Sequence, residues 1–215
     1  MLGLQLRIKY IMDYSDFTID KVQELFEISL IVNRSLFNDI TGVEPSDRLR
    51  LDLEENLSLA IAINSEKARS EFLIAPVLAE VRRCLNYECS LFSGTEFSVE
   101  PEQGLRGYCD FILSAGTEQY FISVPIVTIV EAKNENISAG LGQCIAEMVV
   151  AQRFNIKKNH PIDSIYGVVT TGTNWRFLRL RERTVVIDSV EYYINQVDKI
   201  LVILLQPFAE LAAQK

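Results

Sequence analysis

The chain has 215 residues and a mass of 24.4 kDa, the size of one compact domain with short extensions. Forty-eight percent apolar and 23% charged residues, with ten glycines and six prolines, exclude collagen-like, low-complexity and wholly disordered chains. Twenty-one Lys and Arg against 29 Asp and Glu leave a net charge of −8, which argues against a protein that holds nucleic acid or anionic lipid through net charge alone.

The N-terminal stretch Met1 to Lys9 lacks the basic, apolar and small-residue regions of a secretory signal. The longest strongly apolar run, Ile200 to Leu205, falls far short of the roughly twenty residues that span a bilayer. The expectation is a cytoplasmic protein with no membrane partner. Cys84, Cys89, Cys109 and Cys144 form no CxxC pair, and the single histidine, His160, cannot complete a zinc site, so the cysteines read as packed, reduced thiols.

Thr18 is positioned to cap a helix over 19–37, with Ile19, Val22, Leu25, Phe26, Ile28 and Leu30 on its apolar side. The breaker cluster Gly42 to Asp47 then separates a helical N-terminal extension, 1–50, from the remainder, 51–215. A second helix is expected over 64–86, with Glu71, Ile74, Leu78, Val81 and Leu85 on one line and a kink or break at Pro76. The texture of 91–114 reads as two strands with a turn, including 96–100 and 105–113 with Gly104 and Gly107 between runs. Pro125 opens a β-branched run, 126–133, that suits a central strand.

Helical spacing returns over 138–155 on a segment apolar on two sides, which predicts a buried helix. A strand over 164–172 and a hairpin of 175–180 with 184–188 follow, and the pair Asp188 and Glu191 is capping-box-like for a last helix bearing Val190, Ile194, Val197, Leu201 and Leu204. Helix, three strands, helix, strand, hairpin, helix is the order of an α/β sheet sandwiched by helices.

Three residues carry the chemistry. Asp110 sits within an apolar strand, and Glu131-Ala132-Lys133 ends the most β-prone segment of the chain. An acid inside a strand needs a partner or a cation. Alternation puts Glu131 and Lys133 on one face and Ala132 on the other. If the Asp110 strand pairs with this one, two carboxylates and an ammonium converge. Two carboxylates with a backbone carbonyl such as that of Ala132 make a hard-oxygen site for Mg²⁺ or Mn²⁺. In-line hydrolysis of a phosphodiester is the natural reaction of such a site, with Lys133 orienting water or stabilising charge at phosphorus.

Asp110, then Glu131-Ala132-Lys133, with Glu71 on the preceding helix and Gln143 on the following one, resembles the PD-(D/E)XK nuclease superfamily. The resemblance covers roughly Ser65 to Trp175. It implies a restriction endonuclease-like core: a mixed four- to five-stranded sheet in the order α-β-β-β-α-β, with an N-terminal helical extension and a C-terminal helix. It further implies Asp110 and Glu131 as metal ligands, Lys133 as the catalytic lysine, Glu71 as a supporting helix-borne acid, and Gln143 as the helical glutamine of several branches. Glu147 stands where some branches carry a tyrosine, which leaves its role open, and Cys109 replaces the family's proline before the first aspartate.

Each of these residues also has a plainer reading. Asp110 is also readable as a turn-facing surface acid, Glu71 as a charge on a helix border, Glu131 with Lys133 as an edge-strand ion pair, Gln143 with Glu147 as an interior hydrogen-bonded pair, and Gly140 with Gly142 as close packing or an approach for phosphate. Arg82, Arg83, Lys157, Lys158, Arg176, Arg179, Arg181 and Arg183 read either as a nucleic-acid track or as solvated faces. Trp175 reads as a core aromatic. The functional expectation is a Mg²⁺- or Mn²⁺-dependent nuclease acting on DNA, as a homodimer if the N-terminal helix pairs two copies. A non-catalytic binding or regulatory module with the same fold is the alternative, and a small-phosphate hydrolase is a distant third.

Overall fold

The computed structural model describes residues 12–38, 40–99 and 105–214. Its elements are, in order, α1 (Ile19–Phe26), β1 (Ser29–Arg34), α2 (Asp47–Ile63), α3 (Glu66–Arg69), α4 (Ala75–Cys84), β2 (Ser90–Glu96), β3 (Tyr108–Ser114), β4 (Ile126–Ala132), α5 (Ile137–Lys157), β5 (Ile165–Thr170), β6 (Asn174–Arg181), β7 (Thr184–Tyr193) and α6 (Val197–Ala213). A π-helical turn, Ser70–Ile74, joins α3 to α4.

Among the described residues the sheet has seven strands in the order β1-β7-β6-β5-β4-β3-β2, not the four to five expected. It is mixed: β1 with β7 and β4 with β5 run parallel, and the other neighbours antiparallel. One face carries α1 and α5, whose Val22, Cys144, Ile145 and Met148 pack on Ile112, Ile129, Val169 and Leu178. The other carries α2, α4 and α6, whose Leu49, Val77, Leu78 and Leu201 pack on Phe111, Val130, Val168 and Phe177. With both faces covered, all seven residues of β4 are buried, which explains a run that is apolar but for Thr128 and Glu131. Buried Asn155 of α5 clamps the start of that strand: its Oδ1 accepts from Ile126 N–H at 2.9 Å and its Nδ2 donates to Ile126 O at 2.8 Å.

Several expectations are corrected. The helix expected over 19–37 stops at Phe26, because Glu27 takes the left-handed conformation (φ 56°), and Ser29–Arg34 becomes a parallel edge strand. The N-terminal extension therefore adds a strand to the sheet. Ser46 caps α2 through its Oγ, which accepts from Leu49 N–H at 3.3 Å; this helix was not expected. Its apolar residues point several ways, with Leu51, Leu59, Ile61 and Ile63 all exposed, so no stripe marks it. The helix expected over 64–86 is present from Glu66 to Cys84 as α3, the π turn and α4, and the π turn lies directly before Pro76, where a kink or break was expected because the ring removes one helical N–H. The strand expected over 96–100 ends at Glu96; Glu100, Gly104 and the Met1–Lys9 stretch lie outside the described residues. Asp188 caps no helix. Its carboxylate accepts from Val190 N–H at 3.1 Å and Leu36 N–H at 3.3 Å, inside a strand that continues to Tyr193 before α6 begins at Val197. Among the described residues no helix is long and apolar enough to cross a membrane, and the four cysteines are free.

Candidate functional site

β3 and β4 pair through Phe111↔Val130 and Ile112↔Ile129. One step further along the same register, Asp110 stands opposite Glu131. The ladder opens there, and Asp110 Oδ2 takes the place of a backbone acceptor, receiving Ala132 N–H at 2.8 Å. Alternation turns Glu131 to the α5 side and Ala132 to the α4 side, where it joins that core. Lys133, held to β5 by its N–H on Thr170 O at 2.8 Å, returns to the Glu131 face and donates from Nζ to Glu131 Oε1 at 2.5 Å.

α5 completes the cluster. Gln143 Oε1 accepts from Lys133 Nζ at 3.3 Å, and Gln143 Nε2 donates to Glu147 Oε1 at 3.1 Å. Both glycines at the start of α5 serve close packing. A Cβ on Gly140 would lie 2.7 Å from Val169 Cγ1 and 3.0 Å from Lys133 Cε, so the missing side chain is the room the lysine stem occupies. A Cβ on Gly142 would lie 2.4 Å from the Phe17 carbonyl oxygen.

The site runs from a dry floor to an open side. Glu147 is fully buried and Glu131 is 1% exposed, whereas Asp110, Lys133 and Gln143 are half-buried. Oε2 of Glu131 and Oε2 of Glu147 have no hydrogen-bond partner among the described residues. Burial, and then the Asp110 charge, push the Glu131 carboxyl up to about 8 against the opposing pull of Lys133. Asp110 is raised by burial, which outweighs the Ala132 N–H, the Lys133 charge and a Glu131 hydrogen bond. Burial and the Glu131 charge raise Glu147 far above the carboxylate range. Burial pulls Lys133 down, but Glu131, Glu66 and Asp110 outweigh it and hold the ammonium above its ordinary value.

Glu71, expected as the helix-borne acid, is not brought to this cluster. Its side chain is 55% exposed and pairs with Lys67 at 3.1 Å. Glu66 on α3 is the acid that feels the site: partial burial and the Asp110 charge raise it while Lys133 lowers it. Ser65 places it there, capping α3 by accepting Ala68 N–H at 3.1 Å, so the available sequence signal was the cap and not the apolar line.

Among the described residues no three histidine, cysteine or acidic side chains converge as a ready metal cluster. The donors that Asp110, Glu131 and the Ala132 carbonyl offer are all oxygens, two of them carboxylates, which matches Mg²⁺ or Mn²⁺ held by one or two carboxylates and waters. No N–H donor of the described residues reaches the buried Glu131 Oε2, so this oxygen is open to such an ion once the carboxyl ionises.

Beside the cluster, a cleft of about 500 Å³ is lined by Gln143, Tyr108, Arg106, Asp13 and Glu96. Tyr108, two residues before Asp110, is 67% exposed. The basic residues that suggested a track are largely engaged: Arg83 with Glu80, Arg176 with Glu191, Arg181 with Asp163 and Arg183 with Glu27. Arg82 donates to Cys89 O and lies over Tyr87, and Lys158 lies over Phe154. Trp175 is fully buried, its Nε1 donating to Gly172 O at 3.0 Å, and His160 is exposed in the turn after α5. A scan against protein-family models and a search of curated proteins match nothing to this chain.

Proposed function

We propose that the chain is a metal-dependent nuclease of the PD-(D/E)XK type that hydrolyses DNA phosphodiester bonds, with α3 to α4, β2 to β5 and α5 as its restriction endonuclease-like core. One observation carries the reading: Asp110, brought in by the neighbouring strand, meets Glu131 and Lys133 beside a buried Glu131 oxygen that no N–H donor reaches among the described residues. An edge-strand ion pair does not account for it, since β4 is central and Glu131 is inaccessible.

Asp110, Glu131 and the Ala132 carbonyl would hold Mg²⁺ or Mn²⁺, which when bound neutralises phosphate charge and acidifies water. Of the three N–H donors on Lys133, Glu131 and Gln143 take two and leave one for water or a phosphate oxygen. Its ammonium is favoured over the amine by the surrounding acids, so it orients water and stabilises charge in the transition state and does not serve as a base. Glu147 fixes the sense of the Gln143 amide: with Nε2 committed to Glu147, Oε1 faces Lys133. The cleft bearing exposed Tyr108 gives the strand beside the scissile phosphate an aromatic surface on which to stack.

The engaged arginines and the charge of −8 favour a second reading, a non-catalytic module on the same scaffold. Incubation with supercoiled and single-stranded DNA separates the two. The nuclease reading expects cleavage with Mg²⁺ or Mn²⁺, none with EDTA, and a loss of at least about a hundredfold in Lys133→Ala. Cleavage indifferent to EDTA or to Lys133→Ala, or no cleavage with any metal, contradicts it.

A further inference from the structure

The ribbon of β2 and β3 changes faces beside the site. On one side of the rung formed by residues 94 and 110 it alternates regularly: Cys89, Phe111 and Leu113 lie in the core with α2, α4 and α6, whereas Phe92 and Ile112 lie in the core with α1 and α5. Odd-numbered positions belong there to the first of these cores. On the other side of the rung the order is reversed, and odd-numbered Phe97 and Cys109 are buried with α1 and α5. Both strands switch at the same place, since Gly94 stands opposite Asp110 between the pairs Ser93↔Phe111 and Thr95↔Cys109.

An inserted residue, a β-bulge, is the ordinary way for a strand to exchange its faces. Neither strand has one here. The register is the same before and after the rung, so each strand crosses it with a single residue. The turn is made in the backbone instead. Gly94 has φ 59° and is the one residue of β2 and β3 in the left-handed region, which residues other than glycine, asparagine and aspartate enter only at a cost. The glycine does not serve to make room, because a Cβ at position 94 would meet nothing within 4 Å. What the position requires is the backbone angle.

Asp110 sits on the rung that turns. On a regular ribbon its side chain would enter one core or the other, as Phe111 and Ile112 do. Instead it reaches across to β4, where Oδ2 accepts Ala132 N–H at 2.8 Å. The geometry points to Gly94 as the positioning residue of Asp110: its left-handed φ turns the ribbon over and thereby sets the carboxylate against Ala132 N–H, beside Glu131. Gly94 acts through Asp110 and carries no chemistry of its own. Its bearing on a metal ion rests on the reading of Asp110 and Glu131 as ligands.

The test uses the full ¹⁵N-labelled chain, with the amide shift and hydrogen exchange of Ala132 as one readout and calorimetric titration of Mn²⁺ as the other. Gly94→Val fits the open space and suits a strand, but a β-branched residue disfavours the left-handed angle. Gly94→Asn adds a side chain and tolerates that angle. Asp110→Ala marks the Ala132 signal when its acceptor is gone, and circular dichroism checks each fold. Gly94→Val is expected to move the Ala132 amide toward its place in Asp110→Ala, to speed its exchange about tenfold and to weaken Mn²⁺ about tenfold, whereas Gly94→Asn stays near wild type in all three. If Gly94→Val does not fold, Gly94→Ala, a weaker push away from the same angle, takes its place in the comparison. A wild-type Ala132 amide in the folded Val or Ala variant overturns the inference, as does a change in Gly94→Asn equal to that in Gly94→Val. Mn²⁺ bound equally by wild type and a variant whose Ala132 amide has moved overturns the link to the metal. No Mn²⁺ bound by wild type counts against the metal reading, while a moved Ala132 amide still supports Gly94 as the residue that places Asp110.

Discussion

Burial and the Asp110 charge hold the Glu131 carboxyl protonated up to about pH 8, against an ordinary value of 4.5, so the neutral form of this group belongs to the folded chain. Asp110, Glu66 and Glu147 are displaced in the same direction. A carboxyl raised by folding binds its proton more tightly in the native state. Its contribution to stability is complete below its unfolded value and is lost as pH rises through the folded one. In the absence of divalent ions, thermal unfolding should therefore show stability falling between about pH 4.5 and 8. Glu131→Gln should flatten that slope and raise the melting temperature at pH 8 by several degrees, roughly the effect of one or two kcal/mol on a chain of this size. Mg²⁺ should raise the melting temperature of wild type at pH 8 and leave Glu131→Gln little changed. A flat wild-type profile, or the same slope in the variant, contradicts the account of a carboxylate held out of its charged form.

The difference between Glu66 and Glu71 is decided by one turn of helix. In an unbroken α-helix, Glu71 would share a line with Ile74 and Leu78, as its spacing from them suggests. The π turn Ser70–Ile74 inserts an extra residue into that line, so Ile74 and Leu78 are buried while Glu71 turns out to Lys67. Glu66→Gln is expected to lower the metal-dependent cleavage rate about tenfold or more, whereas Glu71→Gln should change rate and stability by little, as exposed ion pairs do. Equal losses in the two variants would contradict the placement. Asp110, Glu131 and Lys133 were legible because strand alternation has a period of two that nothing interrupts, and β4 is buried on both faces. Position 71 was not, since a π turn leaves no mark in hydrophobic spacing. β1 and the end of β7 were hidden for a related reason: Leu30 and Val190 fit a helical stripe as well as a strand, and only pairing selects the strand, that of β1 with distant β7 and that of the end of β7 with β6 through Tyr192 and Tyr193.

The molecule as a whole carries a charge of −8 and ties Arg83, Arg176, Arg181 and Arg183 to its own acids, so it does not attract DNA by a broad basic face. What it offers instead is local: a cleft beside the Asp110 and Lys133 cluster, with exposed Tyr108. The proposed nuclease activity is therefore expected to go with weak DNA binding and a shallow dependence on salt. The α/β arrangement and the helices on both faces followed from element order, while the seven-stranded width needed pairings between distant segments. The central claim is that Asp110 and Glu131 are arranged for a divalent cation. Calorimetric titration of Mn²⁺ into the full chain at pH 8, beside Asp110→Asn, tests it most directly. The account predicts saturable binding of a single ion in wild type and its loss in Asp110→Asn, with both proteins folded. No heat of binding in wild type, or the same isotherm in the variant, would show that the two carboxylates form an interior pair without a metal.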